Sequence, residues 1–158
     1  MKNRSCFFIG EKTFLPKNDP GASGNLKIIL FILAESGFTD FYAGGDLGWD
    51  LFCEWSVLGL KNQYPEIGLH LILPSPLEQH TAGMDNTLKA TYDVIADNSE
   101  SVEIIPDTGS RLSRFTELAD MCICCFDKKD PRSETAKTVL KIQSAGKIIL
   151  NMYNFSKE

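Results

Sequence analysis

The hexapeptide Met121-Cys122-Ile123-Cys124-Cys125-Phe126 has no polar face. Side chains alternate across a strand, so a strand apolar at every position must be covered on both sides. Ser5-Cys6-Phe7-Phe8-Ile9, ended by Gly10, is a second run of this kind. The 121–126 run, the most apolar of the chain, is read as the centre of the sheet. Strands buried on both faces belong to parallel sheets clad by helices.

The remaining patterning agrees. Positions 26–35 place Leu26, Ile29, Leu30, Leu33 and Ala34 at helical spacing, with Gly37 beyond as a C-cap. Further strands are expected at 38–43, 67–73, 101–105 and 147–152, and further helices at 51–63, 86–96, 111–118 and 133–144. In the helix at 51–63, Leu51, Phe52, Val57 and Leu58 supply the apolar bulk, and Trp49 and Trp55 are expected in the core or between layers. In the last helix, Ala136, Val139, Leu140 and Gln143 mark the packed side. Segments 16–24 and 77–83 read as loops. Pro131 suits the first turn of the last helix, and 154–158 form a tail. Six strands and five helices in alternation, joined by short links, predict a three-layer α/β fold with a mostly parallel central sheet. The 158 residues fit one domain, and no internal repeat or linker divides them.

Composition narrows the function. Hydrophobic residues make up 43% and charged residues 23%, as in ordinary globular domains. The net charge of -5 comes without a basic run, which argues against an extended nucleic-acid surface. No run approaches the roughly 20 apolar residues of a membrane span. The apolar stretch after Arg4 is too short for a signal peptide. Three of the five cysteines sit inside the 121–126 run and read as small buried hydrophobes, which suggests a reducing, cytoplasmic setting.

The candidate site is the stretch from Tyr42 to Glu54. A strand runs into Gly44-Gly45, and a helix begins within a few residues. If the strand is parallel to its neighbours, this turn opens at the carboxyl edge of the sheet, where open α/β sheets bind ligands. Glycines admit close backbone approach, and the N–H groups starting a helix favour an anion. Asp50 and Glu54, four apart, share a helix face. The competing view is a tight glycine turn with two solvated acids. Lys12, after Gly10, emerges at the same edge. Trp49, in the helix's first turn, could stack on a ligand. Arg111 and Arg114 could pair with a phosphate or with nearby acids such as Glu117 and Asp107. The hydroxyls of Ser133 and Thr135 could supplement a helix N-terminus. His70 reads as a packed or edge histidine. His80, in a loop, could touch a ligand. Two histidines ten apart support no metal site, and no cofactor is expected.

Four pieces together resemble the SLOG superfamily, the Rossmann-like group that includes the Smf/DprA-like and LOG-like proteins. The chain looks closest to its small YpsA-like branch. The first strand with Gly10-Glu11-Lys12 is similar to that branch's opening. Gly44-Gly45-Asp46-Leu47-Gly48-Trp49-Asp50, then Glu54, resembles its glycine-glycine-x-leucine-glycine-phenylalanine-aspartate signature with a trailing glutamate. Segment 60–65 and the strand into Pro74 are similar to its helix end and third strand. The arginine-bearing helix from Arg111, the apolar strand, Asp127, Thr135 and Gly146-Lys147 resemble its closing unit. Two departures stand out. Glu11-Lys12 replaces the usual histidine-arginine, and Ser133-Glu134-Thr135 replaces glycine-glycine-threonine, which narrows the second phosphate-binding turn.

The resemblance implies a pocket for a nucleotide or nucleotide-derived sugar phosphate at the carboxyl ends of the first, second and fifth strands. Gly10, Lys12, Gly44, Gly45, Asp46, Gly48, Trp49, Pro74, Arg111, Asp127, Ser133 and Thr135 would line it. The leading expectation is a sensory or regulatory binding protein, in which Asp50 or Glu54 accepts hydrogen bonds from a ribose or base. LOG-like proteins hydrolyse the N-glycosidic bond of nucleoside monophosphates. A hydrolase is therefore the alternative, with Asp50 or Glu54 orienting or deprotonating water. A degenerate protein-binding scaffold is the third reading, which a large exposed apolar patch would favour. Homo-oligomers are compatible with all three.

Overall fold

The computed structural model describes residues 4–130 and 132–153. Pro131 and the 154–158 tail lie outside the described residues. In chain order the elements are β1 (Arg4–Gly10), α1 (Pro20–Glu35), β2 (Phe38–Ala43), α2 (Trp49–Leu60), β3 (Gly68–Leu73), α3 (Leu77–His80), α4 (Asn86–Asp97), β4 (Ser101–Ile104), α5 (Thr108–Leu118), β5 (Met121–Cys125), α6 (Glu134–Ser144) and β6 (Ile148–Asn151). The six strands form one sheet in the order β4-β3-β2-β1-β5-β6, and all five pairings are parallel. This is a three-layer Rossmann-like fold.

The period of two along each strand sorts the core into two halves. Cys6 and Phe8 of β1 join Met121, Ile123 and Cys125 of β5 on one face, against Leu26, Leu30 and Leu33 of α1, Val57 of α2 and Ile95 of α4. Phe7 points the other way with Cys122 and Cys124, against Phe115 of α5 and Ala136, Val139 and Ile142 of α6. The Phe7 and Phe115 rings stack with centroids 5.3 Å apart. β1 and β5 are thus covered on both faces, as their composition demands, but β5 lies one strand in from the β6 edge rather than at the centre of the sheet as expected. The five cysteines are free and buried. Burial pushes the Cys6, Cys53 and Cys122 thiols up, which makes them packing groups rather than reactive thiolates.

From β1 the chain steps through β2 and β3 to β4, then crosses back to β5 on the far side of β1. The strand order therefore reverses between β1 and β5, and this switch point opens at their carboxyl ends, next to Gly10 and Cys125.

Several expectations need correction. Helix α1 starts at Pro20, inside the segment read as loop. The Asp19 carboxylate accepts from the Ala22 N–H at 2.9 Å, and proline at the first helical position needs no donor. One helical turn, α3, stands in the 77–83 loop. Trp55 is 53% exposed rather than packed. On α6 the packed side runs through Ile142, which is fully buried, while Leu140 is 63% exposed and Gln143 is exposed.

That last pair gives a direct check. Ile142→Ala should cost about 2–5 kcal/mol in urea unfolding, the ordinary range for emptying a core site. Leu140→Ala should stay within about 0.5 kcal/mol of wild type.

Candidate functional site

The site is built where the loops after β1 and β2 meet. Gly48 has φ 77°, a left-handed conformation that glycine adopts without strain. A side chain there would also collide with backbone, since its Cβ would fall 2.5 Å from the carbonyl oxygens of Glu11 and Lys12. The Trp49 N–H donates to the Glu11 carbonyl at 3.1 Å. One N–H at the start of α2 is thus committed to the neighbouring loop rather than to an anion. No side chain caps α2.

Trp49 is fully buried. A Cβ on Gly10 would lie inside the space its indole occupies. The ring is held edge-on by Phe14, with centroids 4.9 Å apart, and its Nε1–H points to the Ile123 carbonyl of β5 at 3.5 Å. The indole therefore bridges β1 to β5 beneath the switch point. It is fully buried, and its faces are not open for stacking on a ligand.

The paired glycines are equally close to the protein's own groups. A Cβ on Gly44 would sit 2.9 Å from Asp50 Oδ2, and one on Gly45 would sit 2.5 Å from Leu73 and 2.8 Å from His80 Nε2. The Gly45 carbonyl accepts from two sides, the Tyr92 hydroxyl and His80 Nε2, each at 2.7 Å. A carbonyl only accepts, so Nε2 of His80 carries the proton in this arrangement. The two rings meet edge to face at 5.7 Å. No motif in the sequence singles out Tyr92. Its signal was a phenol on the apolar face of the 86–96 pattern, since a buried tyrosine hydroxyl needs a partner.

Asp50 and Glu54 are not solvated acids. Asp50 is buried, and Glu54 is completely so, with no hydrogen-bond partner for either carboxyl oxygen among the described residues. Burial raises the Asp50 carboxyl well above the usual carboxylate range; the Asp46 charge adds to this, and the Asp46 backbone N–H and Lys12 oppose it. Burial does the same to Glu54, helped by the charges of Asp50 and Asp46. Burial, then the charges of Glu54, Asp50 and Asp46, raise the Tyr92 hydroxyl, which keeps it a donor.

The remaining candidates divide. Lys12 stands out in solvent, its side chain 73% exposed, with its ammonium 3.9 Å from Asp46 Oδ1. Pro74 ends β3 at the same edge, half-buried. Asp127 follows β5 and braces its own turn, accepting from the Lys129 N–H at 2.9 Å. Ser133 caps α6 by accepting from the Ala136 N–H at 3.0 Å, and Thr135 is buried. Arg111 lies after β4, beyond β3 from the glycine turn, and its guanidinium donates to the carbonyls of Ile105 at 2.8 Å and Pro106 at 2.7 Å. Its donors tie down the loop into α5. Arg114 pairs with Glu103 at 3.1 Å. His70 bridges Asp40 and Ser101 at 2.8 Å each across β2, β3 and β4 and stacks on Tyr42, which makes it the packed histidine of the two expected alternatives rather than an edge one. Among the described residues no cluster of histidine, cysteine or acid side chains fits a metal. None of the described helices is long and apolar enough to cross a membrane.

Gly10, Lys12, Gly48 and Trp49 thus meet at the carboxyl end of β1, with Asp46 and Asp50 beside them and Gly44 and Gly45 at the end of β2, toward β3. Asp127 and Ser133 follow the neighbouring β5, and Arg111 stands apart. No family model matches this sequence, and no curated protein matches it. The architecture alone relates the chain to Rossmann-like proteins in general.

The buried acids carry a pH dependence. A folded-state pKa above the unfolded value of about 4.3 means that the native chain keeps protons the unfolded chain releases, so stability falls as pH rises through that interval. Urea midpoints should be lower at pH 8 than at pH 5, and Glu54→Gln should remove part of that fall. An equally steep fall in the variant would contradict the assignment. Gly10→Ala should cost about 1–3 kcal/mol, because the indole cannot yield without leaving its bond to Ile123.

Proposed function

We propose that residues 1–158 act as a single SLOG-type domain that binds a nucleotide or nucleotide-derived sugar phosphate, in a sensory or regulatory role. The observation that carries this reading is the switch point between β1 and β5. Parallel α/β sheets bind ligands outside the carboxyl ends of their strands, where the strand order reverses. The loops that meet there hold the glycine signature and Lys12. Lys12 supplies an exposed cation for the phosphate, and the edges of Gly44-Gly45-Asp46 and Asp127 frame the approach.

Binding is favoured over hydrolysis by the placement of the acids. A general base must reach its water at hydrogen-bond distance. Glu54 has no exposed surface, and Asp50 is nearly as buried. In this reading they support the turn from below, and the ligand rests above Trp49. Ser133, engaged as a helix cap, offers its backbone rather than its hydroxyl.

The test is a thermal-shift and native mass spectrometry screen of nucleoside phosphates and nucleotide sugars on the full chain. A stabilising ligand is expected, with its affinity lowered about tenfold by Lys12→Ala, the value of one charge-assisted contact. Lys12 is exposed enough for the variant to fold normally. Unchanged affinity would move the phosphate elsewhere. Release of free base with time would reinstate the hydrolase.

A further inference from the structure

The outer face of the α1, α2 and α4 layer is apolar, and the switch-point site does not use it. Ile28, Phe31 and Ile32 on α1, Trp55 on α2 and Val94 on α4 are each between 45% and 61% exposed. Helix α1 is the extreme case, with the unbroken apolar run Ile28 to Ala34. A helix apolar all round is a helix buried all round. Here the sheet covers only the side bearing Leu26, Leu30 and Leu33.

A cleft of about 660 Å³ crosses the same face, lined by Leu30 and Lys27 of α1, Phe52, Trp55 and Gly59 of α2, and Val94 of α4. Gly59 sits near the end of α2, with nothing within 4 Å of where a Cβ would be. A helix-interior glycine costs about 0.5–1 kcal/mol relative to alanine, and no contact within the chain requires one here. Gly59 is exposed, and the open space beside it is part of this cleft. Trp55, four residues earlier, projects from the same face of α2. One surface thus carries both a large apolar knob and an open space beside it.

We propose that this face is the dimer interface of the protein, closed by a second copy of the same chain. A two-fold axis crossing α2 midway between Trp55 and Gly59 lays each indole over the other copy's Gly59. The same rotation sets Ile28, Phe31 and Ile32 of α1 against their own counterparts. This self-complementarity is what an isologous interface requires. The area is adequate. At the observed exposures the five side chains present on the order of 500 Å² of apolar surface, about the apolar share of the ~800 Å² each partner gives to a standard interface. The carboxyl edge with Lys12 and the glycine turn stays outside the interface, so the dimer and the ligand reading stand or fall separately.

Sedimentation equilibrium of the full chain tests this. The wild type should be dimeric at about 10 µM. Gly59→Leu fills this part of the cleft and adds a better helix former, so it should raise the unfolding midpoint of the isolated chain while weakening dimerisation at least tenfold. Ile28→Glu, at the most exposed of these positions, should act likewise with an unchanged far-ultraviolet circular dichroism spectrum. Dilution through the dissociation range should shift tryptophan emission to the red, and Trp55→Phe should abolish the shift because Trp49 is buried in both states. A wild type that stays monomeric at about 100 µM overturns the proposal and leaves the face to a different protein. A dimer that survives both Gly59→Leu and Ile28→Glu overturns it by placing the interface elsewhere.

Discussion

Trp49 packs on Gly10, and the missing side chain at the end of β1 is what admits the indole. That contact holds together the parts of the carboxyl edge. It brings the first turn of α2 over β1, lets the indole N–H reach the Ile123 carbonyl of β5, and draws the Trp49 backbone N–H onto Glu11. Gly48 completes the joint, because only a residue without a Cβ can pass the Glu11 and Lys12 carbonyls with φ 77°. Two glycine-dependent close approaches, at Gly10 and Gly48, thus join two separate strand-to-helix loops into one platform.

Beneath the platform lies an unusual amount of uncompensated polarity. Glu54 has no partner for either oxygen among the described residues, and Asp50 sits against Gly44. Burying a carboxylate in that state is costly, and the structure answers by holding both groups protonated over a wider pH range than free acids. Tyr92 and His80 converge on the Gly45 carbonyl from α4 and α3, so the glycine pair is fastened from the far side as well. The glycines in this signature make room for the protein's own groups first, and any ligand approaches a turn already braced from within.

The two helical layers differ in how completely they solve the burial problem. On the α5 and α6 side, Phe115, Val139 and Ile142 turn inward and polar residues face out, with Leu140 the exposed exception. On the α1, α2 and α4 side, the inward face is equally well packed, yet large apolar groups also face outward. Periodicity within a helix can satisfy only one apolar stripe by contact with a sheet. A second stripe calls for a second surface.

Much of the fold was legible in the chain. The runs 5–9 and 121–126 have no polar face, so two-sided burial and a parallel sheet follow from composition alone. Strand positions held to within a residue or two, because period two and short links leave little freedom. Helix starts were less legible. Pro20-Gly21 looked like a turn, although Asp19-Pro20 is also a cap followed by a favoured first residue. The residues of the glycine signature and Gly10, Lys12 and Asp50 do come together at the carboxyl edge. What each of these residues touches was decided only by the packed structure. Sequence records that Glu54 and Trp55 are adjacent, one charged and one apolar, and ordinary patterning would bury the second. The fold buries the acid and exposes the indole, because α2 is rotated by contacts from Gly10, β5 and α4 that lie far away in the chain. Arg111 shows the same limit: its charge is local information, but its distance from the glycine turn depends on which strands lie between. Local chemistry writes the elements; the long-range order of strands and the rotation of each helix decide which chemistry meets.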